Sequence, residues 1–146
     1  VGRVFHSDAT GASVYVFADD HCPPHVHARH RREDWIARVA FSFVHGATEV
    51  MSIAPLRNMP AQRVLNRLLD DIRDHLADCR RSWWTMRRTT CLANQWAVLR
   101  AGNAIDLLPA RAADAKQIAD ATYDPTVERL HVIFRDAMAI ELSLAK

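Results

Sequence analysis

Four of the eight histidines in this chain of 146 residues lie within the segment HCPPHVHARH: His21, His25, His27 and His30, with Cys22 among them. Imidazole can donate and accept a hydrogen bond, titrate near neutrality and ligate transition metals, so such a density points to chemistry or to a hydrogen-bonded turn. If HVHARH is a strand, side chains alternate and His25 and His27 face the same way. With His21 as a third ligand, the set His21, His25 and His27 suits zinc or another divalent transition metal. An open fourth position would let such an ion activate water. In a catalytic reading His25, His27 and Asp20 carry the reaction, Asp20 orienting an imidazole from outside the metal shell. The same residues also serve without metal, as neutral imidazoles that lock the Pro23–Pro24 turn against Asp19 or Asp20, or as an acid/base pair. The residues leave these readings open.

A second constellation lies further on. From position 79 to 105 the chain has five arginines, Arg80, Arg81, Arg87, Arg88 and Arg100, and no acidic residue, interleaved with Trp83, Trp84 and Trp96. Arginine with aromatic rings suits phosphate contact and base stacking on RNA, and Arg80, Arg81, Trp84, Arg87 and Arg88 are the candidate contact residues for RNA or an acidic protein partner. The competing reading is structural, because Trp83 belongs to a helical apolar stripe and arginine is the common base here, 17 Arg against two Lys. His75 and Cys79 stand four apart but form no site alone. No GxSxG, Walker loop or HExxH occurs.

The elements that must position these residues begin with short β-branched and aromatic runs: RVFH, SVYVF, HVHARH, DWIARVAFSFV and TEVMSI. They read as strands of an antiparallel meander, since no long crossover separates them. The period then becomes 3.6. Val64, Leu65, Leu68, Leu69, Ile72, Leu76 and Trp83 form one helical stripe, with Pro60 suited to a first turn and a restart near His75 as an alternative to one long helix. Beyond Trp96, AGNAIDLL and PARAADAKQIADA read as strand, loop and short helix, and DATYDP, ERLHVIF and AIELSL as a final antiparallel hairpin or three-stranded meander. The expected fold class is α+β: an antiparallel sheet packed by one long or two short helices, with a small β-rich C-terminal extension. The expected domains are a histidine-motif unit over 1–90 and a tail module over 91–146 packed on it.

Composition bounds the rest. At 49% hydrophobic and 25% charged, with net charge +2, the chain has the balance of a folded globular protein. No apolar run approaches the roughly 20 residues of a membrane span, and no basic-then-apolar leader opens the sequence, so the expected location is the cytoplasm. Cys22, Cys79 and Cys91 form no CxxC pair and leave one over, so reduced thiols are expected. A homo-oligomer is open.

Asp20, His21, Pro23, Pro24, His25 and His27, after a VYVF strand, resemble the acidic-His…Pro-Pro-His-x-His hallmark of a prokaryotic family, domain-of-unknown-function family forty-one-sixty, over roughly residues 3–88. Cys22 stands where that family more often has a small polar residue. The tail, through Leu130, Val132, Phe134 and Asp136, is similar to domain-of-unknown-function family twenty-four-forty-two, with Ala137 where that family has glycine. The resemblance implies small cytoplasmic bacterial proteins of toxin and antitoxin-like pairs, here with two usually separate modules fused. Two functions are therefore expected: a regulatory or interaction protein contacting RNA or a protein partner, or a metal-dependent hydrolase or nuclease using His21, His25 and His27.

Overall fold

The computed structural model describes residues 2–144. The chain divides into two compact units, residues 1–88 and 89–146. Each is built on its own five-stranded antiparallel sheet.

In the first unit the strands are β1 (Gly2–Ser7), β2 (Ala12–Val16), β3 (His25–His30), β4 (Trp35–Ala40) and β5 (Glu49–Ala54), paired in sequence order. Alternation decides which face each side chain takes. Ala12, Val14 and Val16 of β2, Val26 and Ala28 of β3, and Trp35, Ala37 and Val39 of β4 are all buried. A short 3₁₀ turn (Leu56–Asn58) leads to helix α1 (Gln62–Asp74), and α2 (Leu76–Arg87) follows after a single residue. Leu65, Leu68 and Ile72 of α1 and Leu76, Cys79 and Trp83 of α2 are buried, and α2 runs against β1 and β2. The helix breaks at His75, whose backbone leaves helical geometry (φ −107°, ψ 25°) and whose Nδ1 donates to the Asp71 carbonyl at 2.9 Å. Its ring stacks on Phe5 with centroids 3.9 Å apart.

The second unit has β6 (Trp96–Arg100), β7 (Ala104–Leu108), β8 (Lys116–Asp124), β9 (Arg129–Phe134) and β10 (Ala139–Ser143), in the order β10-β9-β8-β6-β7. Its core holds Ala97, Val98, Ile105, Ile118, Ala121, Tyr123, Leu130, Val132, Phe134 and Leu142.

This corrects the expected fold class. Among the described residues the chain is 41% strand and 20% helix, two antiparallel five-stranded sheets with only two α-helices, and not a helix-packed α+β fold. The difference arises chiefly in KQIADA, whose alanines suggest a helix but which forms the larger part of the nine-residue strand β8, the remainder, TYD, lying in the expected β pattern of the tail. It pairs with β9 along one side and, at its start, with β6 on the other, and ladder bonds with burial of Ile118, Ala121 and Tyr123 outweigh helical propensity. Among the described residues no helix is long and apolar enough to cross a membrane. Neither Cys22 nor Cys91 carries a free thiol, which corrects the expectation of reduced cysteines for those two. Cys79 is free and wholly buried.

Candidate functional site

The histidine segment turns before it becomes a strand. At the end of β2 the backbone N–H of Phe17 donates to Asp20 Oδ2 at 2.9 Å, and the Asp20 N–H returns a bond to the Phe17 carbonyl at 3.2 Å. This reciprocal turn drives the Asp20 carboxylate inward. Beyond it the Pro24 carbonyl accepts from the Phe41 N–H at 3.0 Å, which ties the proline pair to the end of β4.

Three side chains then converge. His25 Nδ1 donates to the Pro23 carbonyl at 2.9 Å. A carbonyl can only accept, so Nδ1 carries a proton, and Nε2 is turned toward Asp20 Oδ1, 3.5 Å away. His27 Nε2 lies 2.9 Å from the same carboxylate oxygen. One donor atom from each of Asp20, His25 and His27 lies within 4.8 Å of the others. Side-chain exposure is 9% for Asp20, 5% for His25 and 19% for His27. Apolar rings wall the site: Phe17 meets the His27 ring edge to face at 4.6 Å, and buried Trp83 lies 5.5 Å from His25.

The expected catalytic trio Asp20, His25 and His27 is thus brought together. Of the three expected ligands only His25 and His27 are brought together; His21 is exposed and stands outside this group, whose third member is Asp20. Adjacent residues point in different directions as the turn is made, and the Phe17 N–H selects the aspartate.

The arginine-tryptophan segment is less uniform than its composition. Arg80 is only 5% exposed, and it is spent inside the fold: Nε donates to the Ser42 carbonyl at 3.0 Å and Nη2 to that of His45 at 3.1 Å. It is therefore removed from the candidate contact residues. Arg81 is paired with Asp78 at 2.6 Å, and an Arg87 guanidinium nitrogen donates to the Ala18 carbonyl. Arg88 lies over the Trp84 ring, 6.0 Å from its centroid. Cys79 offers no nucleophile, because burial pushes its thiol up to about 12.

A basic surface that the sequence reading did not single out lies on the other face of the first sheet. Cross-strand pairing sets Tyr15 opposite His27 and His27 opposite Arg38, with Ser52 next in the row. The adjacent row runs His6, Ser13, Arg29, Ile36 and Ala54. Neither row contains a carboxylate. Two adjoining grooves open here, one lined by Tyr15, Phe17, His27, Arg29, Arg31 and Ile36, the other extending past Ser13 and His6 to Arg32 and Glu33. Arg29, Arg31 and Arg38 are exposed, and Arg38 spends only Nε, on Ser52 at 2.8 Å. The signal was present in HVHARHRR, where period two places residues 27, 29 and 31 on one side.

Comparison with protein-family models, with curated proteins and with solved structures finds no match.

Proposed function

We propose that this chain is a small bacterial regulatory module that contacts single-stranded RNA through the open face of its first sheet. The observation that supports this most directly is the juxtaposition of half-buried Tyr15 and Phe17 with exposed Arg29, Arg31 and Arg38, in two rows without an acidic side chain. Arginine neutralises phosphate, and aromatic rings on a flat sheet stack unpaired bases, whereas reading a duplex calls for an element that enters a groove. The toxin and antitoxin-like setting in the cytoplasm, which the motif resemblance implies, is compatible with such a role. The burial of Asp20 and His25 favours a holding role for the histidine cluster over hydrolysis of a bulky substrate.

The test is fluorescence anisotropy of a short labelled oligoribonucleotide across a salt series. Three arginine–phosphate contacts on a single strand give a slope of about −2 in log K against log salt. Replacing Arg29, Arg31 and Arg38 together by alanine should abolish binding, and Tyr15→Ala should weaken it by about 1–3 kcal/mol if one base stacks there. Arg81→Ala should leave it unchanged. Absence of binding at low salt, or full binding by the triple variant, would refute the proposal; binding of a protein partner by the same face would replace it.

A further inference from the structure

We infer that Asp20, His25 and His27 form a binding site for one divalent transition-metal ion of borderline softness, zinc being the working example. This stands independently of the RNA reading, since it concerns what the cluster holds.

The first argument is donor type. Two imidazole nitrogens and one carboxylate oxygen are a common ligand set for zinc and for its neighbours among the divalent ions. Spacing is the second. Ligand bonds of about 2.0–2.2 Å in a tetrahedron separate neighbouring donor atoms by roughly 3.4 Å. Asp20 Oδ1 stands 3.5 Å from His25 Nε2 and 2.9 Å from His27 Nε2, so small side-chain rotations suffice.

Preparation of the ligands is the third argument. A metal-bound histidine characteristically donates its other ring N–H to a carbonyl or carboxylate, which fixes ring and tautomer. His25 already does so toward Pro23, and its other ring nitrogen, Nε2, points at the cluster. Asp20 is held in the same manner, its second oxygen accepting the Phe17 N–H, so Oδ1 is the one left to bind. The fourth argument is shielding: at 9%, 5% and 19% exposure the donors sit largely out of water. The ion would therefore act as a clasp. It would tie the turn after β2 to the start of β3, and only the side of His27, which also lines the groove with Tyr15 and Arg29, would meet solvent.

The experiment uses the full chain, stripped with chelator and dialysed, titrated with zinc sulfate by calorimetry and then with cobalt(II) by visible absorption. The wild type should take up one equivalent of zinc. The cobalt form should show d–d bands of a low-coordinate nitrogen and oxygen site, and saturating zinc should raise the first thermal midpoint by roughly 10–20 °C at a hundredfold excess over Kd. His27→Gln and Asp20→Asn keep hydrogen-bonding groups near the turn, and circular dichroism establishes that each is folded. Both should lose at least a hundredfold in zinc affinity, while His21→Ala should bind as the wild type does. Failure of the wild type to bind zinc, unchanged uptake by folded His27→Gln and Asp20→Asn, or loss of uptake in His21→Ala would each overturn the inference.

Discussion

The turn between β9 and β10 offers a quantitative test of the second unit. Ala137 adopts φ +70°, in the left-handed region that costs an L-residue with a Cβ roughly 1–2 kcal/mol. The turn holds it there. Phe134 N–H donates to the Met138 carbonyl at 2.8 Å, Ala137 N–H to the Phe134 carbonyl at 3.0 Å, and Met138 N–H to Asp136 Oδ1 at 3.1 Å. Asp136 is itself anchored by Lys116, whose hydrogen bond holds the carboxyl below the ordinary carboxylate range. Ala137→Gly removes the steric cost but gives the unfolded chain more freedom, which offsets about 0.4–1 kcal/mol. The net expectation is a stabilisation of about 0.5–1 kcal/mol, or a midpoint rise of about 3–6 °C for a domain this small. Thermal and urea unfolding followed by circular dichroism measure it, with Ala137→Val moving in the opposite direction because β-branching worsens the same clash. If Ala137→Gly lowers the midpoint, the left-handed turn is wrong and with it the pairing register of the last hairpin.

Two further substitutions test the first unit. Arg80→Ala should destabilise by about 1.5–3 kcal/mol, because a buried guanidinium and its two charge-assisted bonds to the Ser42 and His45 carbonyls are lost; denaturant unfolding measures this, and a loss below about 0.5 kcal/mol would place Arg80 back on the surface. Gly11→Ala meets both a positive φ of 80° and a new Cβ only 2.8 Å from His30 Nε2, a ring stacked on Trp35 and accepting the Glu33 N–H. A cost of about 1–3 kcal/mol is expected, smaller when made in a His30→Ala background, and additivity of the two changes would show that the steric argument fails.

Much of the first unit could be read directly from residue patterns. In β2 the small and branched residues Ala12, Val14 and Val16 alternate with Ser13 and Tyr15, and the former are buried while the latter are not. The helical stripe through Leu65, Leu68 and Ile72 is the buried stripe, and the restart at His75 is present. What escaped was set by contacts remote in sequence. Strand β8 carries a register shift between Ile118 and Asp120, so its alternation is broken in the middle and the alanines dominate the local impression. Arg80 looks like any exposed helical arginine until the irregular chain over 41–48 presents carbonyls that need a donor. His21 and Asp20 are neighbours, and only the turn bond from Phe17 decides which enters the cluster. The basic face went unnoticed because its members come from separate strands, and only pairing of Tyr15, His27 and Arg38 assembles them.

The strand order β1-β2-β3-β4-β5 has a kinetic consequence. Every ladder in the first sheet joins strands adjacent in sequence, so each closes a short loop and costs little chain entropy before its contacts form. Such a sheet can zip hairpin by hairpin as the chain leaves the ribosome, its backbone ladder complete within residues 2–54. Asp20, His25 and His27 all lie in the second of these steps, so the three side chains can come together before α1 or α2 has been synthesised, and Trp83 of α2 then arrives to wall His25.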